Sequence, residues 1–268
     1  LPVAGSFRSI DFALSSMSNS HIQTVAVLTQ YNARSLNEHL SSAKWWNFGR
    51  KQGGLFLFTP TVTADNSDWY RGTADAMYQN IDFLKRRHEP YVIISSGDCV
   101  YKLDFNRVLD FHIEKKSDIT VVCKDMMYND DVSRFGVVRM DDESRITEFD
   151  EKPIEASSNT ISTGIYVIRR RQLIELLEAA AEENRFDFVN DILVRYKNVK
   201  KIYGYKINSY WNNIADIDAY FKTNMDFLRP DVRSYFFREE PTICSKVDDL
   251  PPAKFNPGSD ISNSLVSS

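Results

Sequence analysis

The chain has 268 residues, of which 43% are hydrophobic, 26% charged and 13% aromatic, with a formal net charge of −4. That balance describes a folded chain with a sizeable core, and it excludes extensive disorder and a broad basic face for nucleic acid. No apolar run approaches the ~20 residues that span a bilayer.

The chain opens at Leu1 without Met, and Leu1 to Ser6 has neither the basic nor the apolar region of a signal peptide. It therefore reads as a piece of a longer, cytoplasmic protein. Cys99, Cys123 and Cys244 form no C-x-x-C pair, and His21, His39, His88 and His112 are scattered. Neither a disulfide framework nor a zinc site is expected.

In chain order, Thr24 to Leu28 is the first β-branched run, followed by a helical pattern from Thr73 to Arg87 with Thr73 as its N-cap. Tyr91 to Ser95 and Ile119 to Cys123 are continuous apolar runs of the kind buried on both faces of a sheet. Asn106 to Lys116 reads as the helix between them. Gly136 to Met140, Ile161 to Ile168 and Lys201 to Ile207 add strands, and Arg171 to Glu183, Asp187 to Tyr196 and Ile217 to Leu228 add helices. This alternation predicts an α/β domain, doubly wound around a mostly parallel sheet and Rossmann-like, over residues 1–229. From 230 to 268, Pro241, Pro251, Pro252 and Pro257 break the pattern, and no helical period is expected. Trp45 and Trp46 read as loop anchors or as part of a subunit interface.

Three segments could carry chemistry. In Trp69-Tyr70-Arg71-Gly72-Thr73-Ala74-Asp75-Ala76, a glycine before a helix lets a ligand approach the backbone, and the helix start favours anions. Asp98, in Ser96-Gly97-Asp98, follows a strand end, where open α/β sheets bind ligands and where a carboxylate suits Mg²⁺. Lys152, in Glu151-Lys152-Pro153, offers a point charge to a phosphate from an extended segment. Each also has a plain structural reading as a cap, a turn residue or a surface charge.

Together with Phe7-Arg8-Ser9-Ile10-Asp11-Phe12, Thr29-Gln30-Tyr31, Phe135-Gly136-Val137 and Ser162-Thr163-Gly164-Ile165-Tyr166, these segments resemble ADP-glucose pyrophosphorylase (glucose-1-phosphate adenylyltransferase). The tail, Leu250-Pro251-Pro252-Ala253-Lys254-Phe255 and Ser262-Asn263-Ser264-Leu265-Val266, resembles the entrance to that family's left-handed β-helix domain. The resemblance implies a reaction in bacterial glycogen synthesis: ATP and glucose 1-phosphate give ADP-glucose and pyrophosphate. It also implies that Gln30, Gly72 and Thr73 lie near the nucleotide. Tyr70, Gly136, Glu151, Lys152 and Ser162 would hold the sugar phosphate. Asp98 would be the catalytic, Mg²⁺-binding carboxylate.

The pattern breaks at Trp211-Asn212-Asn213, where the family reads Trp-Arg-Asp. Asn213 replaces the second metal carboxylate and Asn212 removes a basic residue. Cys99 stands where His is usual, and Ser6 where activated enterobacterial members carry an effector-binding lysine. These departures resemble the regulatory second subunit of Gram-positive glycogen operons, which activates a catalytic homologue in a heterotetramer. Two alternatives stay open here, an active adenylyltransferase that tolerates Asn213 and a stand-alone sugar-phosphate or nucleotide sensor. No nucleic-acid or membrane partner is expected.

Overall fold

A computed structural model describes residues 1–49, 53–61, 69–127, 130–247, 251 and 253–266. At its centre, strand Ile119–Asp125 pairs in parallel with Ile202–Lys206 on one edge and antiparallel with Thr160–Arg169 on the other. Strand Thr160–Arg169 is long enough to serve two partners on its far side. Its first half meets Gly136–Met140, which forms a hairpin with Ile146–Glu151, and its second half runs antiparallel to Tyr91–Ser95. Thr24–Leu28 and Gly54–Phe58 form a separate parallel pair.

The α/β architecture is as expected, and the sheet is mixed: Thr160–Arg169 opposes its neighbours. Both faces are covered, which is why the central strands are continuous apolar runs. Ile119, Val121, Ile168, Leu173, Leu177 and Ile192 pack on one side, under helix Arg170–Glu182 and the wide turn Val189–Val194. Val122, Ile165, Val167, Phe105 and Val108 pack on the other, under helix Phe105–Glu114.

One expected helix is divided, and one helix forms where none was expected. The run 73–87 divides into Thr73–Gln79 and Ile81–Lys85 at Asn80, whose side-chain amide donates to the Ala76 carbonyl at 2.9 Å and to the Tyr70 hydroxyl at 3.0 Å. That competition from a short polar side chain interrupts the helix. After Arg229 a helix does form, Pro230–Phe237, with proline in its first turn, where its missing N–H costs nothing. Val232 and Phe236 from this helix, with Ile243 beyond it, are buried against Phe12 and Phe227. Residues 251 and 253–266 are neither helix nor strand, and Leu250 and Pro252 of the proline-rich segment lie outside the described residues.

Helix Ser9–Asn19 holds the segment that follows these helices. The fully buried Asp11 carboxylate meets His39 Nε2 at 2.6 Å, accepts the Ser245 hydroxyl at 2.6 Å, and accepts the Arg8 N–H at 2.8 Å. Trp46 is buried, and its indole donates to the Cys244 carbonyl at 3.1 Å, so it is an anchor. No helix among the described residues is long and apolar enough to cross a membrane.

His112 sits in the core at 1% exposure with Nδ1 2.8 Å from Thr120 Oγ1 and Nε2 unpartnered. Burial, helped by Arg169, lowers its pKa to about 4. An unfolded histidine titrates near ~6.5, so as pH falls below that value the unfolded chain takes a proton that the folded one refuses. The stability His112 contributes is therefore whole above pH ~6.5 and is lost as pH falls towards 4. In denaturant titrations, the stability of the parent relative to His112→Gln should fall by about 3 kcal/mol between pH 7 and pH 4. A difference independent of pH would contradict this.

Candidate active site

The site is built at the ends of the central strands. In the turn after Tyr91–Ser95, the Ser96 hydroxyl donates to Asp98 Oδ1, and the Ser96 N–H donates to the Gly164 carbonyl at 3.1 Å. Gly164 belongs to a bulge in strand Thr160–Arg169 between Ser162 and Tyr166, and its φ of +74° suits glycine. The bulge brings the Ser162 hydroxyl within 3.2 Å of the Tyr166 phenol. One irregularity thus holds the Asp98 turn on one side and Ser162 on the other.

Asp98 and Asn213 are brought together. Strands Cys99–Tyr101 and Trp211–Asn213 pair antiparallel with Cys99 opposite Asn213, and the Ile214 N–H donates to the Asp98 carbonyl at 2.9 Å. Asn213 is committed at both ends of its amide: Oδ1 accepts the Ala215 N–H at 2.8 Å, and Nδ2 lies 3.5 Å from Cys99 Sγ. Asn212 turns away and donates to the Tyr210 hydroxyl at 2.9 Å and to Asp226 at 3.3 Å. Burial, with Asp98 adjacent, raises the Cys99 thiol well above its usual pKa, so it stays protonated. Among the described residues, no group of three or more His, Cys, Asp or Glu could hold a metal ion. Asp98 with substrate phosphates and water would suit Mg²⁺, which tolerates one protein carboxylate.

Gly136, Glu151, Lys152 and Ser162 form the other half. Gly136 pairs with Glu151 across the hairpin, and a Cβ at 136 would fall 2.9 Å from Glu151 Oε2 and 2.8 Å from the Phe149 ring. Glycine is required there so that Glu151 can fold over the strand end. Burial raises the Glu151 pKa, Lys152 pulls it down, and Asp187 pushes it further up. The Lys152 N–H donates to the Phe135 carbonyl at 3.1 Å, and its exposed ammonium lies 3.9 Å from Glu151 Oε1, a loose pair that an anion could join.

The run 69–76 joins this half through residues 186–188. Ala74 and Asp75 N–H groups donate to the Phe186 carbonyl at 2.8 and 3.2 Å, and the Phe188 N–H donates to the Thr73 hydroxyl at 2.9 Å. Thr73 therefore anchors a neighbouring loop, and Gly72 rather than Thr73 occupies the cap position. Arg71 stacks on the Phe186 ring at 3.8 Å and grips Asp75. Burial works against the Asp75 charge, yet the hydrogen bonds from Arg71 and Gln79 hold its pKa below the usual carboxylate range. Tyr70 receives the Asn80 amide. Gln30, half-buried after strand Thr24–Leu28, is joined to this run by the Tyr31–Trp69 stack, with ring centroids 5.0 Å apart.

Sequence reasoning missed Tyr166 and Asp187 as members of the site. The spacing of Ser162 and Tyr166 within one quoted motif was the available signal for the first. Asp187 looked like a helix residue, and only its flanking phenylalanines, each tied to the 69–76 run, bring it to Glu151.

A nucleotidyl transferase family profile matches residues 1–229. Glucose-1-phosphate adenylyltransferase of Clostridium novyi (strain NT) is 37% identical over 269 residues, covering 99% of this chain and 70% of that protein. The chain belongs to this family. The glucose-1-phosphate adenylyltransferase of Clostridium acetobutylicum is 38% identical over 99% of this chain and 70% of its own length. That of Thermotoga maritima is 36% identical over 100% of this chain and 64% of its own length.

Proposed function

We propose that this chain is a regulatory subunit of a glucose-1-phosphate adenylyltransferase hetero-oligomer in glycogen synthesis, with weak or no activity alone. In the reaction implied, a phosphate oxygen of glucose 1-phosphate forms a bond to the α-phosphorus of ATP, and the bond to pyrophosphate breaks. Mg²⁺ held by Asp98 would supply the positive charge that offsets the negative charge building on the phosphates.

The residues of the chain divide the remaining work. Lys152 places an ammonium at the sugar phosphate. Glu151, beside Ser162 and the Tyr166 phenol, offers acceptors and donors to sugar hydroxyls, in the space that Gly136 leaves open. Gln30 and Gly72, with Thr73 behind them, would line the nucleotide side, and Tyr70 would join the sugar-phosphate groups. The observation that carries the reading is Asn213: where a second carboxylate would face Asp98, the chain has an amide already bonded at both ends. A cleft that keeps its sugar-phosphate groups and loses half its metal charge suits binding and partner activation better than turnover.

The test is pyrophosphate release by the full-length protein with ATP, glucose 1-phosphate and Mg²⁺, alone and mixed with a family member that carries aspartate at this position. Alone, the rate should be about 10²-fold below the partner's, since one preorganised charged group is worth that much. Mixed, the partner's rate should rise. Robust turnover alone would favour the active-enzyme reading, and no change on mixing would remove the regulatory one.

A further inference from the structure

An exposed ion pair joins the turn before Phe135 to the segment that follows Asn213. Arg134 Nη1 pairs with Asp216 Oδ2, the side chains being 40% and 43% exposed. Asp216 closes the segment that carries Asn213, and it is fixed by a second bond, its Oδ1 accepting the Ala219 N–H at 2.7 Å to cap helix Ile217–Asp226. Arg134 stands in the turn before Phe135, and its guanidinium lies 5.2 Å from the centre of that ring. Phe135 in turn meets Trp211 edge-on, with centroids 5.7 Å apart.

From Phe135 the chain of contacts reaches the ligand side. Its carbonyl accepts the Lys152 N–H, and Lys152 holds a φ of +49°. A non-glycine residue keeps that conformation only where its surroundings impose it, and such residues gather at ligand sites. The hydrogen bond from Lys152 to Phe135 ties this backbone to the Phe135 turn, so the turn sets where the Lys152 side chain starts, and its ammonium then lies 3.9 Å from Glu151. An exposed ion pair adds little to stability. The Arg134–Asp216 pair is thus a weak staple, but it lies where a small displacement of one turn moves a phosphate-binding group relative to Asp98.

We propose that Arg134 is a positioning residue: anchored by Asp216 and laid on Phe135, it fixes the turn that aims Lys152 at the sugar phosphate. This rests on the reading of Glu151, Lys152 and Ser162 as a sugar-phosphate pocket. Arg134 stands just before the Phe135-Gly136-Val137 run, and this role accounts for Asp216, three residues past Asn213, being engaged with a cation and a helix end.

Calorimetric titration of the full-length protein with glucose 1-phosphate, paired with thermal melting, tests it. Arg134→Ala should weaken binding about tenfold, misplacement of one binding group being sufficient for that. Its melting temperature should stay within ~2 °C of the parent's, as for loss of an exposed pair. Asp216→Asn keeps a good N-cap while removing the charge, and it should reproduce the loss. The double variant should bind no more weakly than either single one, and Arg134→Lys should recover most of the affinity. Unchanged binding in Arg134→Ala overturns the proposal, and so does a loss in Arg134→Ala that Asp216→Asn fails to share. A parent protein that binds no glucose 1-phosphate overturns the pocket itself, a result distinct from either.

Discussion

Gly72→Ala should lower the stability of the protein by about 3 kcal/mol, a melting-temperature drop of roughly 6–12 °C for a chain of this size. The cause is contact rather than conformation. The φ of Gly72 is 178°, extended backbone that any residue adopts. A Cβ there, however, would lie 2.3 Å from the Phe186 carbonyl oxygen and 2.8 Å from its carbon. Those are backbone atoms and cannot swing aside. The segment would have to separate, and with it the two N–H bonds from Ala74 and Asp75 to that carbonyl. Because Asp187 follows Phe186, the same displacement would draw Asp187 away from Glu151. Gly49→Ala is the control: its nearest neighbour would be 4.0 Å away, so its melting point should be unchanged. Equal melting points for the parent and Gly72→Ala would refute the packing argument.

Asn213→Asp should raise Mg²⁺-dependent pyrophosphate release by about 10²-fold, the scale of one preorganised charge at a transition state. The exchange is nearly isosteric. An aspartate at 213 keeps an oxygen for the Ala215 N–H and gives up only the weak contact of Nδ2 with Cys99 Sγ. It also adds a second carboxylate near that of Asp98, at the position paired with Cys99. Without metal, their repulsion should lower the melting temperature by a few degrees, and Mg²⁺ should restore it.

Much of the fold is legible because apolar runs at strand length and helical spacing are direct signatures of burial. Tyr91 to Ser95 and Ile119 to Cys123 read correctly as strands; Ile119–Asp125 is central, whereas Tyr91–Ser95, half-buried, pairs among the described residues with Thr160–Arg169 alone. The direction of Thr160–Arg169 was not legible, since a strand buried on both faces carries the same pattern whichever way it runs. The helix after Arg229 was hidden by Pro230, a residue that breaks a helix interior but suits its first turn. At the site, Asp98 stood out through its place at a strand end. The role of Gly72 was harder to see: a glycine that admits a ligand and one that admits a carbonyl of the same chain look alike in sequence, and here the Phe186 carbonyl is the neighbour. Tyr166 and Asp187 depend on a bulge and on a loop docking across 115 residues, from Phe188 to Thr73, contacts without a local signature. Arg134 belongs to the same class.

The most direct test of the central claim is the initial rate of pyrophosphate release by full-length Asn213→Asp beside the parent, at saturating ATP and glucose 1-phosphate across a Mg²⁺ series. If the missing carboxylate is what separates this chain from its catalytic relatives, the variant turns over about 10²-fold faster and reaches half its maximum at lower Mg²⁺. A parent already as fast as the variant, with the same Mg²⁺ dependence, would contradict the account.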